Sequence, residues 1–176
     1  MKNLGHRWPA AVGLAAAVFQ LGTGVQRETV AVTLSVALLC YLGAAALGRP
    51  WVAWAGILGG SVVVVVSELA GLPWWSGVGL TALILVAVGV VGGVPRTALT
   101  WQTAAFVGYG GLVWAALVLS PRLGLALAGV ALAAHAVWDV IHYRRNQVVA
   151  RSLAEFCIVL DVPLGIGAIV LAITGS

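Results

Sequence analysis

With 176 residues, 62% of them hydrophobic and only 8% charged, the chain is not built like a water-soluble globular domain, in which about a quarter of residues are charged. Nine basic residues against five acidic ones give a formal charge of +4, yet there is one lysine and no basic face, which argues against nucleic acid as a partner. A mean hydropathy of +1.09 points to a bilayer instead.

At about 20 residues per crossing, the apolar sequence divides at its Gly, Pro, Arg and Trp punctuation into seven segments. These are Trp8–Val25, Thr29–Gly48, Trp51–Gly71, Gly77–Val94, Thr103–Leu119, Leu123–Tyr143 and Ala150–Thr174. The expectation is an all-α integral membrane protein, a seven-transmembrane-helix bundle forming a single domain over residues 1–176. Short connections make consecutive helices antiparallel neighbours.

Charge placement tests that division. The amino terminus and the even-numbered loops carry Lys2, Arg7, Arg49, Arg96, Arg144, Arg145 and Arg151, whereas the other side holds only Arg27 and Arg122. Such a bias places the first side in the cytoplasm, with the amino terminus inside and the carboxyl terminus outside. The expected location is a bacterial plasma membrane. Lys2 and Arg7 before an apolar run resemble a signal peptide, but LGTGVQ is a poor cleavage site and further spans follow at once. The first segment is therefore read as a retained helix.

The middle spans are rich in Gly, Ala and Val, and small residues let helix backbones approach closely in lipid. The Val62–Val66 run is read as helix, since an isolated strand cannot satisfy its backbone there. Trp51, Trp74, Trp75 and Trp101 sit at span ends, where an aromatic belt explains them. Trp54, Trp114 and Trp138 lie deeper. Cys40 and Cys157 fall inside apolar segments without a C-x-x-C pair, and read as small buried side chains.

Three of the five acids and two of the three histidines fall between Ala134 and Asp161. On the sixth segment His135, Asp139 and His142 are spaced i, i+4, i+7 and share roughly 60° of helix arc. Gly124, Ala128 and Ala131 continue that stripe, so it faces the bundle interior. At about 1.5 Å of rise per residue, His135 and Asp161 lie at similar depth on adjacent antiparallel helices, and Asp139 lies at the depth of Glu155. Pro163 interrupts the last helix just beyond Asp161. Arg151 and Glu155, at i and i+4, fit a surface pair; His142 fits the interface, and Asp139 fits an anchor for the Arg144–Arg145 turn. Glu28 has its explanation at a helix amino terminus. Asp161 has no nearby cation, and Glu68 near the end of the third span has no such explanation either.

A carboxylic acid in an apolar pocket can stay protonated and donate, and indole faces stabilise a carbocation. Size, seven spans, Ser67–Glu68–Leu69 in the third and Asp161 in the last together resemble the small membrane-embedded terpene cyclases of meroterpenoid pathways. That resemblance implies Glu68 and Asp161 as the acid pair and protonation-initiated cyclisation of an isoprenoid or lipid-like substrate. Asp139 and His135 are the further catalytic candidates, with Trp138, Trp54, Trp114 and Tyr109 around a lipid-soluble small molecule. No cofactor is expected. Two alternatives stand beside this reading. One is a small proton-coupled transporter or channel with a His/Asp relay. The other is a metal-dependent membrane enzyme using His135, Asp139, His142 and a carboxylate of the last helix. The sequence leaves the oligomeric state open.

Overall fold

A computed structural model describes residues 7–175. Its regular structure is helical: α1 (Trp8–Thr23), α2 (Arg27–Leu47), α3 (Val52–Leu69), α4 (Trp74–Val91), α5 (Arg96–Val118), α6 (Pro121–Arg145) and α7 (Arg151–Thr174), with no strand among the described residues. Helices suit such a chain because each satisfies its own backbone hydrogen bonds where water is absent. Six of them, α2 to α7, are long and apolar enough to cross a membrane. The sixteen residues of α1 rise only about 24 Å. Large apolar side chains such as Leu58, Leu83 and Val91 point outward, the last 88% exposed. Water would oppose that arrangement, and hydrocarbon does not.

Helix limits follow the predicted spans except at α5, which begins at Arg96 rather than Thr103. The polar run before Thr103 reads as a loop, but Pro95 starts the helix and its carbonyl accepts the Leu99 amide at 3.3 Å. Thr103 is accommodated by donating its hydroxyl to the Leu99 carbonyl at 2.8 Å. α3 ends in a hydrogen-bonded reversal. The Leu72 amide reaches the Ser67 carbonyl at 2.9 Å, and Gly71 takes the left-handed conformation (φ 72°) that this cap requires.

Packing groups the chain into two compact units. No linker or change of composition marks the division, because α2 and α5 each contribute residues to both. In the unit made of residues 1–34, 111–146 and 151–176, α6 and α7 run antiparallel while α1 runs parallel to α7. Gly13 is placed against the Phe156 carbonyl and Gly167 against the Leu21 side chain. α6 and α7 cross at Gly129 and Gly165, where a methyl on either would sit 2.8 Å from the other's carbonyl oxygen. Backbone meets backbone there, the contact that glycine permits in a membrane. Arg27 closes another junction, pairing with Glu28 at 2.8 Å and donating to the Leu119 carbonyl just beyond α5.

The second unit, residues 35–110 with 147–150, holds the rest of α2, α3, α4 and the start of α5. Its contacts follow the same rule, with Gly56 against Cys40 and Gly77 against Ser67. Cys40 and Cys157 are both buried and neither is in a disulfide, as their apolar context suggests.

Candidate functional site

Pro121 opens α6, and Asn146, in the left-handed conformation, closes it by giving its amide to the His142 carbonyl at 2.8 Å. Between these ends one face is buried: Gly124, Ala128, Ala131, His135, Asp139 and His142. This is the stripe that the i, i+4, i+7 spacing predicts. Gly124 on this stripe meets the Ala116 carbonyl of α5, while Gly129, on the adjoining face, meets Gly165 and brings α7 close, and α7 then presents Asp161 at the level of His135.

Three ionisable side chains meet there. His135 Nδ1 lies 2.9 Å from Asp161 Oδ2 and 3.4 Å from Asp139 Oδ2. All three side chains are fully buried. With its proton on Nδ1, the imidazole donates to Asp161 and lies against Asp139. Asp161 Oδ1 is buried with no hydrogen-bond partner among the described residues, an acceptor with capacity left over. Two residues further along α7, Pro163 lacks the amide hydrogen that would bond the Val159 carbonyl. The helix is therefore weakened beside its one buried acid.

Two carboxylates and an imidazolium sum to one negative charge, and burial makes an unbalanced charge costly. A proton or a cation restores neutrality. The donor set also suits a metal: one ligand atom from each of the three residues lies within 4.8 Å of the others. Donors at about 2.1 Å from a tetrahedral zinc-type ion stand roughly 3.5 Å apart, so modest side-chain adjustment would enclose an ion.

The remaining candidates lie elsewhere. His142, one turn beyond Asp139 and also buried, donates from Nδ1 to the Trp138 carbonyl at 2.8 Å, and its ring lies 5.0 Å from that indole. Trp138 is half-buried and so flanks the buried stripe. Asp139 packs against His135 inside the unit, where the sequence reading offered it as an anchor for the arginine turn. The expected Arg151–Glu155 pair does not form among the described residues. The Arg151 guanidinium stands 5.9 Å over the Tyr143 ring instead, because that ring ends α6 directly beside the start of α7.

Glu68 is exposed on the last turn of α3, and Trp54 and Tyr109 are half-buried; all three belong to the second unit. The indole of Trp114 is 54% exposed, so it points away from the buried interior rather than into it. Sequence reasoning missed the crossing at Gly129 and Gly165, since 23 glycines in the chain gave no means of choosing among them. Comparison with family models, with curated proteins and with solved structures gives no match.

Proposed function

We propose that this is a small membrane transporter that exchanges protons at His135, Asp139 and Asp161. The single observation that carries this reading is the burial of one imidazole between two carboxylates, 2.9 and 3.4 Å away, in a chain of which only 8% of the residues are charged. Ionisable groups in such a place are expensive, and proton relays are a principal reason for membrane proteins to keep them. The chain would cross seven times with its amino terminus in the cytoplasm, α1 lying along α7 as the seventh span.

In this mechanism His135 holds a proton at Nδ1 and passes it to Asp161 Oδ2, and Asp139 balances the charge of the imidazolium. Asp161 Oδ1 is the acceptor that a proton arriving from the other side would find. The small-residue crossing at Gly129 and Gly165 lets α7 move along α6, and the interrupted helix at Pro163 is the place for it to flex. The triad would then face the two sides in turn. A bulky isoprenoid fits this centre less well, because Asp161 has no exposed surface and its carboxylate is already engaged by His135.

Reconstitution into liposomes with a trapped pH-sensitive dye tests the proposal. An imposed pH gradient should collapse faster with the protein than without it, and Asp161→Asn, which keeps the side-chain shape, should reduce the rate to that of empty liposomes. A folded Asp161→Asn protein with full flux would end the reading. The three donors within 4.8 Å favour a second reading, a resident divalent metal. Elemental analysis of the purified protein separates the two. Near-stoichiometric metal that His135→Ala removes would replace the proton with a metal ion.

A further inference from the structure

The molecule has a second polar feature, separate from the buried triad. Where the amino-terminal ends of α1 and α7 meet the carboxyl-terminal end of α6, a groove of about 590 Å³ opens between the three helices. Its polar rim consists of Arg7, Arg151, Tyr143, Ser152 and Glu155, with Trp8 beside them. Ile158 and Val159 continue its wall along α7 in apolar side chains.

The two guanidiniums set this groove apart. Neither Arg7 nor Arg151 donates a hydrogen bond to any described residue, and Arg151 is held in place by its stacking over Tyr143. At the other end of α1 a groove of about 410 Å³ also contains arginine, but there Arg27 is committed to Glu28 and to the Leu119 carbonyl. Among the described residues that groove keeps only the Arg122 guanidinium uncommitted, and the other has two sets of planar donors left for an oxyanion. Guanidinium forks match phosphate oxygens in geometry and charge.

We infer that the groove between α1, α6 and α7 binds the phosphodiester headgroup of an anionic membrane phospholipid. Arg7 and Arg151 hold the phosphate oxygens. Trp8 and Tyr143 set the depth, as aromatic side chains do at the membrane interface, and one acyl chain runs along Ile158 and Val159. Glu155 is the opposing charge in this site, and it makes a definite prediction about direction. The rim carries two cations and one anion, so an anionic lipid is held, but less tightly than the arginines alone would hold it. This inference stands independently of the proton-exchange proposal.

The test is native mass spectrometry of the full-length protein released from nanodiscs that contain equal parts phosphatidylglycerol, phosphatidylethanolamine and phosphatidylcholine. The wild type should retain phosphatidylglycerol in preference to the other two. Arg7→Gln and Arg151→Gln should each reduce that preference about fivefold, the effect of roughly one interfacial cation. Glu155→Gln should increase it, a gain that misfolding would not produce. The pair Arg49→Gln and Arg96→Gln, outside the groove, should leave it unchanged. Equal retention of the three lipids by the wild type, or a preference for phosphatidylethanolamine, would overturn the assignment. So would equal loss in the Arg49 and Arg96 variants, no gain in Glu155→Gln, or displacement of the lipid by millimolar inorganic phosphate, which would identify a soluble anion as the ligand.

Discussion

Replacing Gly165 with alanine probes whether the α6–α7 crossing sets the geometry of the triad. The added methyl would lie 2.8 Å from the Gly129 carbonyl oxygen, 2.9 Å from the Ala133 amide nitrogen and 3.0 Å from the Ala133 methyl. Two of those atoms are backbone, so no side chain can rotate to make room. Ordinary contact begins near 3.4 Å, and the helices must separate by about 0.6 Å to reach it. Asp161 is one turn from Gly165 on the same helix. The same displacement would stretch its 2.9 Å contact with His135 to about 3.5 Å, beyond a useful hydrogen bond. Overpacking costs about 1–3 kcal/mol, and losing a charge-assisted hydrogen bond in a buried place adds about 1.5–3 kcal/mol. At about 2–4 °C per kcal/mol for a chain of this length, Tm should fall by roughly 10 °C in detergent, followed by intrinsic tryptophan fluorescence. Gly108→Ala on α5 is the control, since nothing lies within 4 Å of the position its methyl would take. A Gly165→Ala protein that melts with the control and still carries protons would refute the account of the crossing.

Val148, in the connection between α6 and α7, has φ 67°, where a β-branched residue is strained by about 1–3 kcal/mol. Val148→Gly should therefore raise Tm slightly despite the added freedom of the unfolded chain, and a lower Tm would show that the strain is absent. His135→Ala leaves two buried carboxylates without their shared partner and should cost about 3–5 kcal/mol. The triple variant with Ala at 135, 139 and 161 should melt above that single variant while remaining inactive in the dye assay; a triple variant that melts lower would show that the groups contribute to stability in their own right.

Much of the first unit was legible because its polar residues are so few. Placing His135, Asp139 and His142 on one arc needed only the period of the helix, and matching His135 with Asp161 needed only rise per residue and a short connection. What could not be read depended on the direction of side chains relative to packed neighbours. Arg151 and Glu155 have the spacing of an ion pair, yet the guanidinium stands over the Tyr143 ring at the end of α6. Trp114 lies deep in the sequence of its span but on the outer arc of its helix, a distinction that depth alone does not make. The early start of α5 was hidden by Arg96, Thr97 and Thr100, polar residues that read as loop although Pro95 opens the helix ahead of them. The division into two units left no trace in composition, since both are built from the same Gly, Ala and Val.

The buried triad also explains why exchange and motion would be a single event. With both carboxylates ionised and the imidazole protonated, its three groups would leave one negative charge in a place without water, and that charge would resist any movement that carries it past lipid-facing surroundings. A bound proton removes the charge. It also relieves the demand of Asp161 for the His135 hydrogen bond, the contact that ties α7 to α6 beside the bare Gly129–Gly165 crossing. On the proposed mechanism, loading would therefore cancel the electrostatic barrier and loosen the helix contact together. An empty triad would cross more slowly than a loaded one and so set the pace of net flux, and a proton could not leak across without the movement of α7.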